Sequence, residues 1–194
     1  MTIYVVCDIE ADGPIPGPHS MISFGAVAVD KCGKNYGRFE INLHTLENAL
    51  PHPATIKWFN EHAPAALEYT KQNRVLPQEA MNKFGDWLLT LPFPRVMAAH
   101  PAPSDFMWLN WYIQNYLEDR LENPPFTTPF FDSIGQSAFC IKSYATAVLK
   151  KDFIEVDRGT YSKELHDNTR HTHRAIDDAS EYANLLVKLL NKNF

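Results

Sequence analysis

Residues 3–9, Ile-Tyr-Val-Val-Cys-Asp-Ile, form a short apolar run that ends in acid, and Glu10 follows at once. A run of this length without polar alternation reads as a central β-strand covered on both faces. Side chains two apart on a strand share a face, so Asp8 and Glu10 point the same way while Ile9 points the other. Two carboxylates one strand period apart repel when both are ionised. Such a pair belongs either at a solvated strand end, the commoner case for an isolated pair, or around a divalent cation, and the buried-looking strand before it weakens the first reading. Oxygen ligands without cysteine suit Mg²⁺ or Mn²⁺ better than Zn²⁺.

The remaining pattern predicts one α/β domain over 1–194. "MISFGAVAV" (21–29) is a second strand and 36–43 a third, joined through a turn at Gly33 as an antiparallel meander. Pro53 opens a short helix carrying Trp58 and Phe59, and a firmer helix spans 78–91. "RVMAAH" (95–100) is a short buried strand. An aromatic-rich helix then starts near Ser104, read as its N-cap. Its aromatics, 106 to 116, read as core, with self-association as a homodimer the alternative use. "NPPFTTPFFD" is a loop leading to a short strand, and Asp132 or Ser133 caps a helix reaching Lys150. The last helix covers 174–190. Strands followed by alternating helices and strands give a mixed sheet flanked by helices.

That last helix sharpens the site. At about 100° per residue, Ile176, Ala179, Tyr182, Ala183, Leu185, Leu186, Leu189 and Leu190 form one broad apolar arc. Asp177 falls on the polar face with Ser180, Glu181, Asn184 and Lys188, whereas Asp178 falls inside the arc. A core-facing Asp needs a partner, and a metal at the sheet edge supplies one. His173 stands on the loop before the helix, where an imidazole suits a general base. His171 and His166 lie nearby, but no third residue completes a zinc site with them. Asp105, in the first turn of the aromatic helix, reads by itself as a helix-dipole partner.

Composition bounds the function classes. A net charge of −5 argues against a protein that coats nucleic acid without specificity. It does not oppose an enzyme that grips phosphates through metal ions. The locally more basic stretch from Lys142 to Arg174 reads as a solvated face. No apolar run approaches the roughly 20 residues that span a bilayer, and no signal peptide opens the chain. Cys7, Cys32 and Cys140, an odd and widely spaced set, read as reduced thiols in a cytoplasmic protein.

Taken in order, "VVCDIEADG", "AAHPAPSDF" and "HRAIDD" resemble the three motifs of the DEDDh 3′–5′ exonucleases, which have the ribonuclease H-like fold. The opening stretch is also similar to a bacterial or phage subgroup of such enzymes. The resemblance selects Asp178 over Asp177, in agreement with the helical arc. It implies two Mg²⁺ or Mn²⁺ ions, about 4 Å apart, with Asp8 bridging. Glu10 and Asp178 complete one site, Asp105 holds the second ion, and His173 takes a proton from the attacking water. The implied substrate is single-stranded RNA or DNA, released as nucleoside 5′-monophosphates. Backbone amides of Ala11, Asp12 and Gly13 are candidates to hold the terminal nucleotide. Met21, Phe24 and Trp58 are candidates to stack bases, each weighed against plain core packing. The second motif departs from the family pattern: Pro101 replaces its Asn and Ser104 its Phe. The loop after Glu10 is also longer and richer in Pro. Two other readings share these residues: an inactive nucleic-acid-binding module, and a hydrolase of small phosphodiesters or dinucleotides.

Overall fold

A computed structural model describes residues 1–117, 138–165 and 172–192. Five strands form one sheet: β1 (Ile3–Ala11), β2 (Met21–Asp30), β3 (Asn35–Asn42), β4 (Arg95–Ala99) and β5 (Phe139–Cys140), in the order β3-β2-β1-β4-β5. The first three are antiparallel neighbours, while β4 runs parallel to β1 and β5 parallel to β4. This is the mixed sheet with an antiparallel opening that the strand pattern predicts. β2 is buried at every position, as a strand covered on both faces must be.

The helices are α1 (Pro53–His62), α2 (Pro64–Tyr69), α3 (Pro77–Leu89), α4 (Ala102–Tyr116), α5 (Ile141–Leu149) and α6 (Ala175–Leu190). They cover opposite faces, and the alternation of β1 records this. Ile3, Val5 and Cys7 pack with α3 and α4; Val6 packs with α5 and α6. Asp8 and Glu10 therefore lie on the α6 face.

Two features bring the site together. Pairing of β1 with β4 stops at Val6 and Ala98, so the last residues of β1 run beyond β4 with that flank open. On the other flank, Asp8 lies opposite Gly25 and Gly25 opposite Glu40. A Cβ on Gly25 would stand 2.4 Å from the Ile176 nitrogen and 2.5 Å from the Ala175 carbonyl carbon. The glycine lets the first turn of α6 lie directly on β2, beside Asp8.

Three boundaries differ from expectation. Helix α4 begins at Ala102 and Pro101 takes the cap position, so Ser104 is inside the first turn rather than the N-cap. Pro103 fits there because first-turn N–H groups have no helical partner to lose. Helix α5 begins at Ile141, directly after β5, instead of near 133. Asp132, Ser133 and the loop before them lie outside the described residues. In α4, Trp108 and Tyr112 are buried core, and the Tyr112 hydroxyl accepts the Met21 N–H at 2.8 Å. The core reading of that helix holds. Among the described residues, no helix is long and apolar enough to cross a membrane. Cys7, Cys32 and Cys140 are all free.

Candidate active site

Four acids and one histidine converge at the end of β1. Glu10, Asp178 and His173 present ligand atoms that all lie within 4.8 Å of one another. Asp178 is 3% exposed in the first turn of α6, inside the apolar arc, whereas Asp177 is half-buried and accepts a hydrogen bond from the Thr172 hydroxyl at 3.0 Å. Asp105 arrives from the opposite face of the sheet. It is buried in the first turn of α4, and the Ile9 backbone N–H acts on its carboxyl. Asp8 stands outside the tight group, close enough to feel Asp105, Glu10 and Asp178 electrostatically.

The electrostatics are those of carboxyl groups crowded together. Burial pushes the Asp8 carboxyl well above the usual carboxylate range, and Asp105, Glu10 and Asp178 push it further. Burial raises Glu10 likewise, with Asp178 and then Asp105 adding to it. Burial lifts Asp105 to about 7, against the opposing pull of the Ile9 N–H. Glu181 is a fifth acid nearby, but Arg158 grips it through two bonds of 2.8 and 2.9 Å. No such cation serves Asp8 or Glu10 among the described residues. Four carboxylates converging beside one imidazole fit a hard divalent cation such as Mg²⁺ or Mn²⁺.

His173 occupies the loop just before α6 in a left-handed conformation, φ +56°. Few non-glycine residues adopt that region, and histidine is among those that do so more often. Its ring meets Trp58 edge-on at 4.9 Å, and Trp58 stacks on His62 at 5.3 Å. The next residue, Arg174, caps α6. Its guanidinium donates to both Glu40 oxygens at 2.8 and 2.9 Å and to the Tyr69 hydroxyl at 2.7 Å, while lying 3.9 Å over the Tyr69 ring. A cleft of about 280 Å³ opens beside Asp178, lined by Arg38, Thr172, Asp177, Ser180, Glu181 and Asn184.

No family model matches the chain. A curated relative, the 3′–5′ DNA exonuclease Cap18 of Escherichia coli, is 26% identical over 193 residues, which covers 98% of this chain and 92% of that one. Among solved structures, the nuclease domain of 3′hExo, a DEDDh family member bound to rAMP, superposes with a TM-score of 0.68 at 17% identity. That match covers 97% of this chain and 90% of the other. Pop2p of S. pombe, in its Mg²⁺- and Mn²⁺-bound form, gives 0.61 at 15% identity over 95% and 81%. The fold is that of the DEDDh 3′–5′ exonucleases.

Within this DEDDh fold, the substrate candidates separate. Met21 and Phe24 are wholly buried and cannot stack bases. Phe24 pairs with Ile9 in register, so it faces away from the acids and into the α3/α4 core. The Asp12 amide already donates to the Ser20 carbonyl at 2.9 Å, and its buried carboxylate accepts the Ser20 N–H at 2.6 Å. Asp12 fastens the Pro-rich loop and is not free to hold a nucleotide. Gly13 packs against the His19 ring, where a Cβ would come within 2.2 Å, and Ala11 is half-buried at the strand end. Trp58, 40% exposed beside His173, is the one aromatic candidate with a face to offer. His166 and His171 lie outside the described residues.

Gly25, Arg174, Glu40 and Tyr69 were not foreseen from sequence. A glycine inside "MISFGAVAV" does signal a close backbone approach. Nothing in the sequence signals a pair 134 residues apart such as Arg174 and Glu40.

Proposed function

We propose that this chain, acting as a single domain, is a divalent-metal-dependent 3′–5′ exonuclease that releases nucleoside 5′-monophosphates from single-stranded nucleic acid. The observation that carries the proposal is the meeting of Glu10, Asp178 and His173 within 4.8 Å, with Asp8 and Asp105 alongside. Asp8, Glu10, Asp105 and Asp178 would hold two Mg²⁺ or Mn²⁺ ions. Bound there, the ions would offset the crowded negative charge, make water more acidic and stabilise charge on the leaving oxygen.

The protein's own residues perform the rest. His173 accepts a proton from the water that attacks the terminal phosphorus. A P–O bond forms, the bond from phosphorus to the 3′ oxygen of the preceding nucleotide breaks, and that oxygen takes a proton from solvent. The products are a nucleoside 5′-monophosphate and a chain one residue shorter. Trp58 offers its exposed ring to a base near the 3′ end, a contact that single strands provide readily. The E. coli relative's name favours DNA as substrate. The free cysteines and the absence of a membrane-crossing helix among the described residues accord with a cytoplasmic protein.

The test uses matched 3′-labelled and 5′-labelled DNA and RNA oligonucleotides with Mg²⁺, Mn²⁺ or EDTA. Metal-dependent release of labelled mononucleotide from the 3′ label first is expected. Absence of release from either sugar type in Mn²⁺ rejects the proposal.

A further inference from the structure

Resting on the reading of Glu10 as a metal ligand, we propose that Ser23 is its positioning residue. The Ser23 hydroxyl donates to the ionised Glu10 carboxylate and so fixes how that carboxylate meets a cation. Glu10 on β1, Ser23 on β2 and Asn42 on β3 are successive partners across the sheet. Side chains of directly opposed residues share a face, with Cβ atoms about 4.5–5.5 Å apart. Ser23 therefore stands beside Glu10 on the α6 face. It is 1% exposed, and its Oγ is buried with no hydrogen-bond partner among the described residues. A buried hydroxyl left so costs free energy that alanine at the same place would not. Other interior hydroxyls here are used: Ser20 Oγ accepts the Leu46 N–H at 3.0 Å, and Thr70 donates to the Leu67 carbonyl at 2.8 Å. Among the described residues, Ser23 carries the one buried hydroxyl without such a use.

Two acceptors lie in register with it. On one side is the Glu10 carboxylate; on the other is Asn42 Oδ1, also buried and without a partner. The Asn42 amide is already oriented by the end of α2, since its Nδ2 donates to the Tyr69 and Gln72 carbonyls at 2.9 and 3.0 Å. A hydroxyl has one proton to give, and an ionised carboxylate takes it more strongly than a neutral amide oxygen does. A carboxylate that ligates a cation keeps lone pairs to spare, and a donor bonded to them holds it in one orientation. Ser23 is buried too deeply to touch substrate, so its effect passes through Glu10. The row Asp8, Gly25, Glu40 lies under the first turn of α6, and the row of Ser23 is the next one on this face.

The experiment compares Ser23→Ala with the unaltered protein, by Tm in EDTA and by calorimetric Mn²⁺ titration without substrate. The Tm is expected to hold or rise, because the hydroxyl removed had no partner. Mn²⁺ affinity is expected to fall about 10-fold, the scale seen when a donor behind a metal ligand is lost. Oligonucleotide cleavage falls at limiting Mn²⁺, recovers most of its rate at saturating Mn²⁺, and keeps KM for the oligonucleotide within about twofold. In a Glu10→Ala background, Ser23→Ala lowers Mn²⁺ affinity by less than about twofold, because the group it acts through is gone. A lowered Tm with Mn²⁺ affinity unmoved assigns the hydroxyl to packing or to Asn42 and overturns the inference. So does a full 10-fold loss in the Glu10→Ala background. If Ser23→Ala weakens Mn²⁺ binding but the unaltered protein degrades no oligonucleotide, the nuclease reading fails and the role of Ser23 stands. If the unaltered protein is an active nuclease and Ser23→Ala binds Mn²⁺ as tightly, the nuclease reading stands and the role of Ser23 fails. An unaltered protein that binds no Mn²⁺ overturns both.

Discussion

Asp105 and Asp178 occupy equivalent places, each a buried acid in the first turn of a helix, yet they are delivered differently. Asp105 comes from α4 on one face of the sheet, its carboxyl under the pull of the Ile9 backbone N–H. Asp178 comes from α6 on the other face, in a first helical turn seated on Gly25. Helices on opposite sides of a sheet do not ordinarily share a site, since the sheet lies between them. They meet here because β1 outruns β4, so its end can be approached from both sides. The site is assembled at the end of β1, past the last residue that pairs with β4.

Removing the residue between the two deliveries has the largest effect. Asp8→Asn keeps the shape and removes the charge, and the proposed metal chemistry depends on it. Several kcal/mol of transition-state stabilisation at about 1.36 kcal/mol per tenfold is a loss of about 1,000-fold or more in kcat. Thermal stability without metal is expected to hold or rise, since one of several crowded carboxylates is gone. Retention of more than about a tenth of the activity places the chemistry elsewhere.

Gly25→Ala attacks the α6 side alone. Its Cβ would meet backbone, which cannot turn aside as a side chain can. Overpacking of this kind costs about 1–3 kcal/mol, or about 2–12 °C in Tm for a domain of this size. Activity falls with it as Asp178 is displaced. Gly159→Ala, where nothing lies within 4 Å of the new Cβ, is the control and leaves both unchanged. A Gly25→Ala protein with ordinary Tm shows that α6 does not rest on β2 as described.

The same contrast explains what was legible in the sequence. Local periodicity carries the strands and the inward turn of Asp178, because both are properties of one element. The three motifs in order carry the fold and the set of acids. What depends on two elements meeting was hidden. Phe24 looked available to substrate because its pairing with Ile9, and hence its opposite facing, is a matter of register. Ser104 looked like a cap because the proline-bounded turn, which starts the helix two residues earlier, competes with the capping rule and wins. Arg174 was visible as a charge, but its engagement with Glu40 exists only once α6 crosses β3.

The Asp105 side is read out by pH. Burial raises Asp105 to about 7, above the value near 3.9 of an unfolded chain. Between those limits the folded protein holds a proton that the unfolded chain has released. Stability without metal therefore falls as pH rises from about 4 through about 7, and levels off above. Asp8 and Glu10, also raised, act in the same direction. In EDTA the Tm is expected to be lower at pH 8 than at pH 5, and Asp105→Asn flattens the slope. Saturating Mn²⁺ raises the Tm more at pH 8 than at pH 5, because it binds the ionised acids of the folded state. A Tm in EDTA that climbs from pH 5 to 8 contradicts the enclosure of these acids.

The smallest expected effect asks which delivery side the substrate's last base touches. Trp58 stands against His173, on the side of α6, and among the described residues no comparable exposed ring accompanies Asp105. Base stacking on an aromatic ring contributes about 1–3 kcal/mol. Trp58→Ala is expected to raise KM about 5-fold or more, with Trp58→Phe recovering most of it. Because Trp58 also touches His173, a kcat loss of a few-fold accompanies the alanine change; the phenylalanine ring, which keeps an edge contact, limits it. Phe24→Leu, in the opposite core, lowers Tm and leaves KM alone. Equal KM shifts from Trp58 and Phe24 variants would mean that the effect travels through stability, and the α6 side would lose its claim to the terminal base.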